Sequence, residues 1–131
     1  MEEIIAPVSK ELLKAELTAD MRLPYTNNNE IYVVKRQDSP NVLREIGRLR
    51  EIAFRAAGGG TGMSLDLDDF DMMEEPYKQL IVWDPDVEAI LGGYRYLIGA
   101  DVKLREDGQP ILATSPMFHF SEKFMKNYMP Y

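Results

Sequence analysis

The sequence predicts a mixed α/β (α+β) domain, a sheet with flanking helices. Three observations predict it. Residues 41–57 carry apolar side chains at helical spacing, between a start signal and three glycines. Gln79–Trp83 is a nearly continuous apolar run, as expected of a central strand. Ala89–Ile98 follows it across a short turn, so the two read as a hairpin. A length of 131 residues suits one domain, 1–131.

Taken in order, Ser9 is placed to cap a short helix over Lys10–Thr18, with Leu12, Leu13 and Leu17 as its apolar stripe. Residues 24–29 read as a loop, and Ile31–Lys35 as a β-branched strand. Ser39 and Pro40 form a helix start, cap and first turn. Val42, Ile46, Leu49, Ala53 and Ala57 then share one face, with Arg44, Arg48, Glu51 and Arg55 opposite. Gly58-Gly59-Gly60 ends that helix. An acidic loop, Ser64–Glu75, precedes the hairpin, whose turn is Asp84-Pro85-Asp86. Asp107-Gly108 marks a further turn, and Pro110–Thr114 a short edge piece. Ser121 caps a last helix over Glu122–Tyr128.

Composition excludes several chemistries. There is no cysteine, so disulfides, thiolate metal sites and a cysteine nucleophile are out. With one histidine, His119, a multi-histidine metal centre is out too, and a serine–histidine pair could use only that residue. No metal ligand set is expected. A net charge of −7 argues against nucleic acid as a partner, because phosphates need cations. No apolar run is long enough to span a bilayer, and the acidic N-terminus is not a secretory signal. The cytoplasm is the expected location.

Two arginines break the local pattern. At about 100° per residue, Arg50 falls between Ile46 and Phe54, inside the apolar arc of its helix. A guanidinium there needs a carboxylate or carbonyls. It either forms a structural ion pair with an aspartate after the helix or shapes an acidic-loop pocket. Arg95 interrupts an apolar strand beside Gly92 and Gly93, which leave room for a ligand or another backbone. The alternative is a bulge or strand bend, with Arg95 paired to Asp71 or Asp68. The carboxylates of the acidic loop lack the glycine and the alternation of a calcium loop. They suit either a solvated loop or one that ties down both arginines and keeps a carboxylate free for an amine. Gly58–Gly62 follows a helix where a phosphate loop would precede one, so it reads as a helix exit. Trp83 reads as core, and His119 as a semi-buried, satisfied histidine.

These residues carry a family resemblance. Leu49-Arg50-Glu51-Ile52-Ala53-Phe54, Asp66-Leu67-Asp68-Asp69-Phe70-Asp71 and Gly92-Gly93-Tyr94-Arg95 resemble three motifs of the acyl-homoserine-lactone (autoinducer) synthases. Arg44–Arg50 and Tyr77–Asp84 resemble more closely the hemolysin-like N-acyltransferases of ornithine- and glycine-lipid synthesis. Both groups are GNAT-superfamily acyltransferases. The resemblance implies a GNAT-like mixed sheet, incomplete on its C-terminal side, because the family continues beyond the position of Tyr131 with the elements that hold the thioester.

It also implies that Arg50, Phe54, Asp66, Asp68, Asp71 and Arg95 shape the amino-substrate pocket. Asp66 stands where the synthases carry glutamate, and no tryptophan lies between Phe54 and Asp66. An amino acid such as glycine or ornithine is therefore the implied acceptor, rather than S-adenosylmethionine. The implied donor is a long, 3-hydroxylated acyl thioester on acyl carrier protein or coenzyme A, with no tightly bound cofactor. Peripheral contact with the inner membrane and a homodimer are further implied partners. Two other functions stay open at this point: a non-catalytic remnant that binds an amine or a partner, and a structural domain completed by dimerisation.

Overall fold

A glutamate side chain, rather than the expected serine, caps the longest helix. In the computed structural model, which describes residues 1–24 and 28–131, helix α1 spans Lys10–Glu16 and helix α2 spans Pro40–Ala56. The Glu16 carboxylate accepts from the first free N–H groups of α2, Val42 N at 2.8 Å and Asn41 N at 3.1 Å. Those donors have no partner inside the helix, so an anion there satisfies them and opposes the helix dipole. Ser39 holds the cap position but is fully buried, and its hydroxyl donates to the Glu16 carbonyl instead. The expected loop at 24–29 falls in part on residues 25–27, outside the described residues.

Strand β1, Glu30–Val34, pairs antiparallel with β2, Lys78–Asp84, in the register Tyr32↔Ile81 and Val34↔Gln79. Strand β3, Ala89–Tyr96, completes the order β1-β2-β3. Burial alternates along β2, so Gln79, Ile81 and Trp83 share its covered face. Ile81 and Trp83 pack with Leu13, Tyr32, Val34, Val42, Leu43, Ile46 and Ile90 into one core. The mixed α/β reading therefore holds, as do the hairpin, the expected central strand and the core position of Trp83.

Helix α2 departs from a simple two-faced helix. Glu51 sits on the face expected to be solvated, yet it is fully buried. Glycines 58 and 60 turn the chain back at positive φ, 88° and 97°, and lay the following segment over that face. The far end of the apolar face is left uncovered, with Phe54 51% exposed.

The two glycines of β3 do different jobs. A Cβ on Gly93 would lie 2.2 Å from the Leu80 carbonyl oxygen, so the neighbouring backbone requires glycine there. A Cβ on Gly92 would meet nothing within 4 Å.

The chain divides into two units, Met1–Arg95 and Tyr96–Tyr131. Everything above, save Tyr96 at the end of β3, belongs to the first. The second holds a turn at 105–108, closed by a bridge between Leu104 and Pro110, and helix α4 at Glu122–Asn127. Pro110–Thr114 forms only that bridge and no strand, because its Pro110 lacks a ladder donor. Ser121 does cap α4, accepting from Phe124 N at 3.1 Å, and the rings of Phe120, Phe124 and Tyr128 stack along it. His119 is exposed rather than semi-buried, as is Phe118 beside it.

Candidate functional site

The acidic loop is partly helical. Helix α3, Asp69–Met72, is only one turn long, and a reciprocal cap starts it: Asp68 accepts from Phe70 N and Asp71 N, while Asp71 accepts from Asp68 N. This exchange points the Asp71 side chain inward, where it is fully buried. The sequence reading missed α3, because four residues are too few to show a period.

Asp71 is the hub of the site. Its Oδ2 accepts from Arg50 Nη1 at 3.0 Å and Asp68 N at 3.0 Å, with Arg95 Nη1 at 3.2 Å. Its Oδ1 accepts from Gln79 Nε2 at 2.8 Å. Gln79 Oε1 in turn accepts from Arg50 Nη2 at 2.8 Å, closing a triangle. Arg95 Nη1 also donates to Asp68 Oδ1 at 2.7 Å. The Arg95 guanidinium lies 5.2 Å from the centre of the Tyr77 ring and 6.0 Å from that of Phe70, so the aromatic faces fix its plane. One carboxylate thus joins α2, α3, β2 and β3.

The structure brings together Arg50, Asp68, Asp71 and Arg95. Both arginines form ion pairs with the acidic loop, one of the two readings open for each. It adds Gln79 and Tyr77, which the sequence reading passed over. Gln79 carried a signal: it is a polar residue on the covered face of an apolar strand. Phe54 stands apart from the ion network, on the rim of the adjoining cleft.

Asp66 is placed by backbone. Its N–H donates to the Gly47 carbonyl at 2.9 Å, and its own carbonyl accepts from Arg50 Nη1 at 3.5 Å. A Cβ on Gly47 would lie 2.8 Å from Leu67, so that glycine lets the loop settle on α2. Among the described residues, the Asp66 side chain has no hydrogen-bond partner. Burial raises its pKa above the usual carboxylate value, Arg50 opposes that, and the charges of Glu51, Asp68 and Asp71 add to it. At Asp68, burial favours the neutral acid, but Arg95 and the Asp71 contacts outweigh it, and the pKa falls. The two arginines and Asp68 and Asp71 cancel in charge, which leaves Asp66 as the surplus anion.

A cleft of about 460 Å³ opens beside this network, between α2 and the hairpin. Ile46, Leu49, Ala53, Ile81, Ile90 and Leu91 make it apolar, and Arg50 and Gln79 give it one polar end. Gly92 borders it without a side chain. The arrangement can hold an apolar chain next to a small polar group.

The chain is 70% identical over 132 residues to a glycine N(alpha)-acyltransferase of Bacteroides thetaiotaomicron, covering 99% of this chain and 39% of that protein. It is 67% identical over 133 residues to a glycine N(alpha)-acyltransferase of Phocaeicola vulgatus, covering 100% of this chain and 41% of that one. The chain therefore spans about two fifths of the length of these relatives. No solved structure gives a significant match. No helix among the described residues is long and apolar enough to cross a membrane. The acetyltransferase (GNAT) domain pattern matches residues 49–126, more than half of the chain and all six candidate pocket residues. The chain therefore belongs to the acetyltransferase (GNAT) domain family.

Proposed function

We propose that this chain supplies the acceptor side of an N-acyltransferase that moves an acyl group from a thioester to the amino group of glycine. The observation that carries this reading is the 70% identity, over 99% of the chain, to a protein named for that activity. In this reading Arg50, Phe54, Asp66, Asp68, Asp71 and Arg95 shape the acceptor pocket. Asp68 and Asp71 hold the two arginines rigid. Arg50, at the polar end of the cleft, faces the substrate carboxylate, and the surplus anion Asp66, whose carbonyl accepts from Arg50, faces the ammonium group.

The amine must be neutral to react. Its nitrogen attacks the thioester carbonyl carbon, the C–N bond forms, the C–S bond breaks, and the thiolate leaves. The proton lost by nitrogen goes to a base. Asp66 suits that role better than an ordinary carboxylate, since its pKa is raised. The apolar cleft receives the first part of the acyl tail. In this reading the chain belongs to the hemolysin-like branch that its motifs resemble, related to the autoinducer synthases. The donor that this resemblance implies is a long 3-hydroxyacyl thioester on acyl carrier protein or coenzyme A. The product is then an N-acylglycine for aminolipid synthesis, made in the cytoplasm at the face of the inner membrane.

The test is mass spectrometry of products formed from long-chain 3-hydroxyacyl carrier protein, the coenzyme A ester, and an amino-acid mixture. This chain and the longest form its gene encodes are assayed side by side. N-acylglycine as the main product is expected. A different acylated amine would move the acceptor assignment, and no acylated amine from either form would overturn the reading.

A further inference from the structure

Glu51 takes no part in the acceptor network, yet it is fully buried and every contact it makes leads to the segment that delivers Asp66. Its Oε1 accepts from Thr61 N at 2.9 Å and Thr61 Oγ1 at 2.6 Å, and its Oε2 from Gly62 N at 3.0 Å. Arg55 donates to the same Oε2 at 2.6 Å and reaches on to the carbonyls of Met63 and Glu2, each at 2.8 Å. The N-terminal segment then clamps the next residue: Ser64 N donates to the Glu2 carboxylate at 2.8 Å, and Ile5 N to the Ser64 carbonyl at 3.0 Å. Two residues further on, Asp66 N closes on Gly47. Residues 61–66 are thus held at almost every peptide, and Glu51 is the anchor on which the series begins.

We infer that Glu51 is a positioning residue for the acceptor site, acting through the Thr61–Asp66 segment to hold the Asp66 carboxylate beside Arg50. A glycine-rich turn with two positive-φ residues at 60 and 62 would otherwise leave that segment many conformations. A buried carboxylate that collects two N–H groups, a hydroxyl and a guanidinium selects one of them. A small acceptor has few contacts of its own, so a shift of Asp66 appears first in acceptor binding. The inference rests on the proposed role of Asp66, and its test separates the two.

Steady-state kinetics are measured on the longest form the gene encodes, with glycine and a long-chain 3-hydroxyacyl carrier protein each varied in turn. Glu51→Gln places an amide N–H₂ among donors, and it is expected to raise KM for glycine about tenfold while KM for the thioester stays within about twofold. Thr61→Val, on an exposed residue whose loss the fold should survive, is expected to raise it about threefold, and Thr61→Ser to restore it. A purely structural role would lower active concentration and kcat and leave both KM values alone. Asp66→Asn is the reference. If it leaves KM for glycine unchanged, the acceptor role of Asp66 falls. If it raises KM while Thr61→Val does not, the positioning inference alone is overturned, whether or not Glu51→Gln folds.

Discussion

Asp71 and Glu51 are both fully buried carboxylates, and each pairs with an arginine of the same helix. The rest of their surroundings differ. Asp71 is shared by two guanidinium groups and a glutamine, from three elements, and two of those partners, Arg50 and Gln79, line the apolar cleft. Glu51 has one guanidinium, four residues along its own helix, and otherwise the N–H and O–H groups of one loop. The first anion holds side chains in place and is rich in charge. The second holds backbone in place. Burial of a carboxylate therefore does not by itself mark a site; what marks it is convergence of charged side chains from separate elements on a cavity.

The largest effect that this contrast predicts is at Asp71. Asp71→Asn keeps the shape but leaves Arg50 without the carboxylate it pairs with and Arg95 with Asp68 alone. Removing one partner of a buried pair costs about 3–5 kcal/mol, chiefly because the other charge stays buried. Urea unfolding should show that loss, and, under the proposed function, acylation of glycine by the longest form the gene encodes should fall at least 100-fold, roughly the cost of a displaced anchoring group. A loss of stability below about 1 kcal/mol, the range of a surface pair, would break the contrast and make Asp71 a solvated residue.

The same contrast explains what could be read from the sequence. Arg50 was legible because a guanidinium inside an apolar arc violates the helical period, and Arg95 because it interrupts an apolar strand. For Arg95 the expected partners, Asp68 and Asp71, are the ones it meets; for Arg50 only an aspartate after the helix could be expected, because the loop carries four of them. Glu51 was not legible. It lies with Arg44, Arg48 and Arg55 on what a helical wheel presents as a solvated face. Only the path of the loop after Gly60 buries it, and that path is a tertiary event without a period. Gln79 escaped for the opposite reason: one polar residue at the start of an apolar strand resembles an ordinary strand end. Helices α1, α2 and α4 and the central hairpin were legible because each rests on local periodicity or a cap. The caps were read less well, because Glu16 reaches its helix from another element.

A middle-sized effect should appear at Glu51, with a signature in pH. The Thr61 hydroxyl lowers its pKa most; burial opposes, and Arg55 and the Thr61 and Gly62 amides add to the fall, to about 2 from an ordinary 4.5. A group whose folded pKa is depressed binds its proton more readily in the unfolded chain. Its stabilisation is therefore complete above pH 4.5 and drains away as pH falls toward 2. The gap in urea midpoint between the wild-type protein and Glu51→Gln should be constant above that window and narrow within it. Taking the difference cancels the other carboxylates, which titrate in both proteins. A gap independent of pH would mean that the carboxylate charge contributes nothing there, and that packing alone separates the two proteins.

The smallest effect is at Glu16, and it sharpens the contrast by removing arginine from it. This half-buried carboxylate binds only amides, Asn41 N, Val42 N and the Asn41 side chain. If the cost of losing a carboxylate follows the number of charges it strands, Glu16 strands none. Its removal should then cost no more than an ordinary helix cap, about 1 kcal/mol for Glu16→Ala. Glu16→Gln keeps an acceptor oxygen and loses mainly the charge–dipole attraction, about 0.3–1 kcal/mol. Thermal and urea unfolding of both variants measure these losses directly. If Glu16→Ala instead costs as much as Asp71→Asn, stranded charge is not what separates the carboxylates. The helix start of α2 would then be the part of the fold on which the position of Arg50, two and a half turns further along, depends.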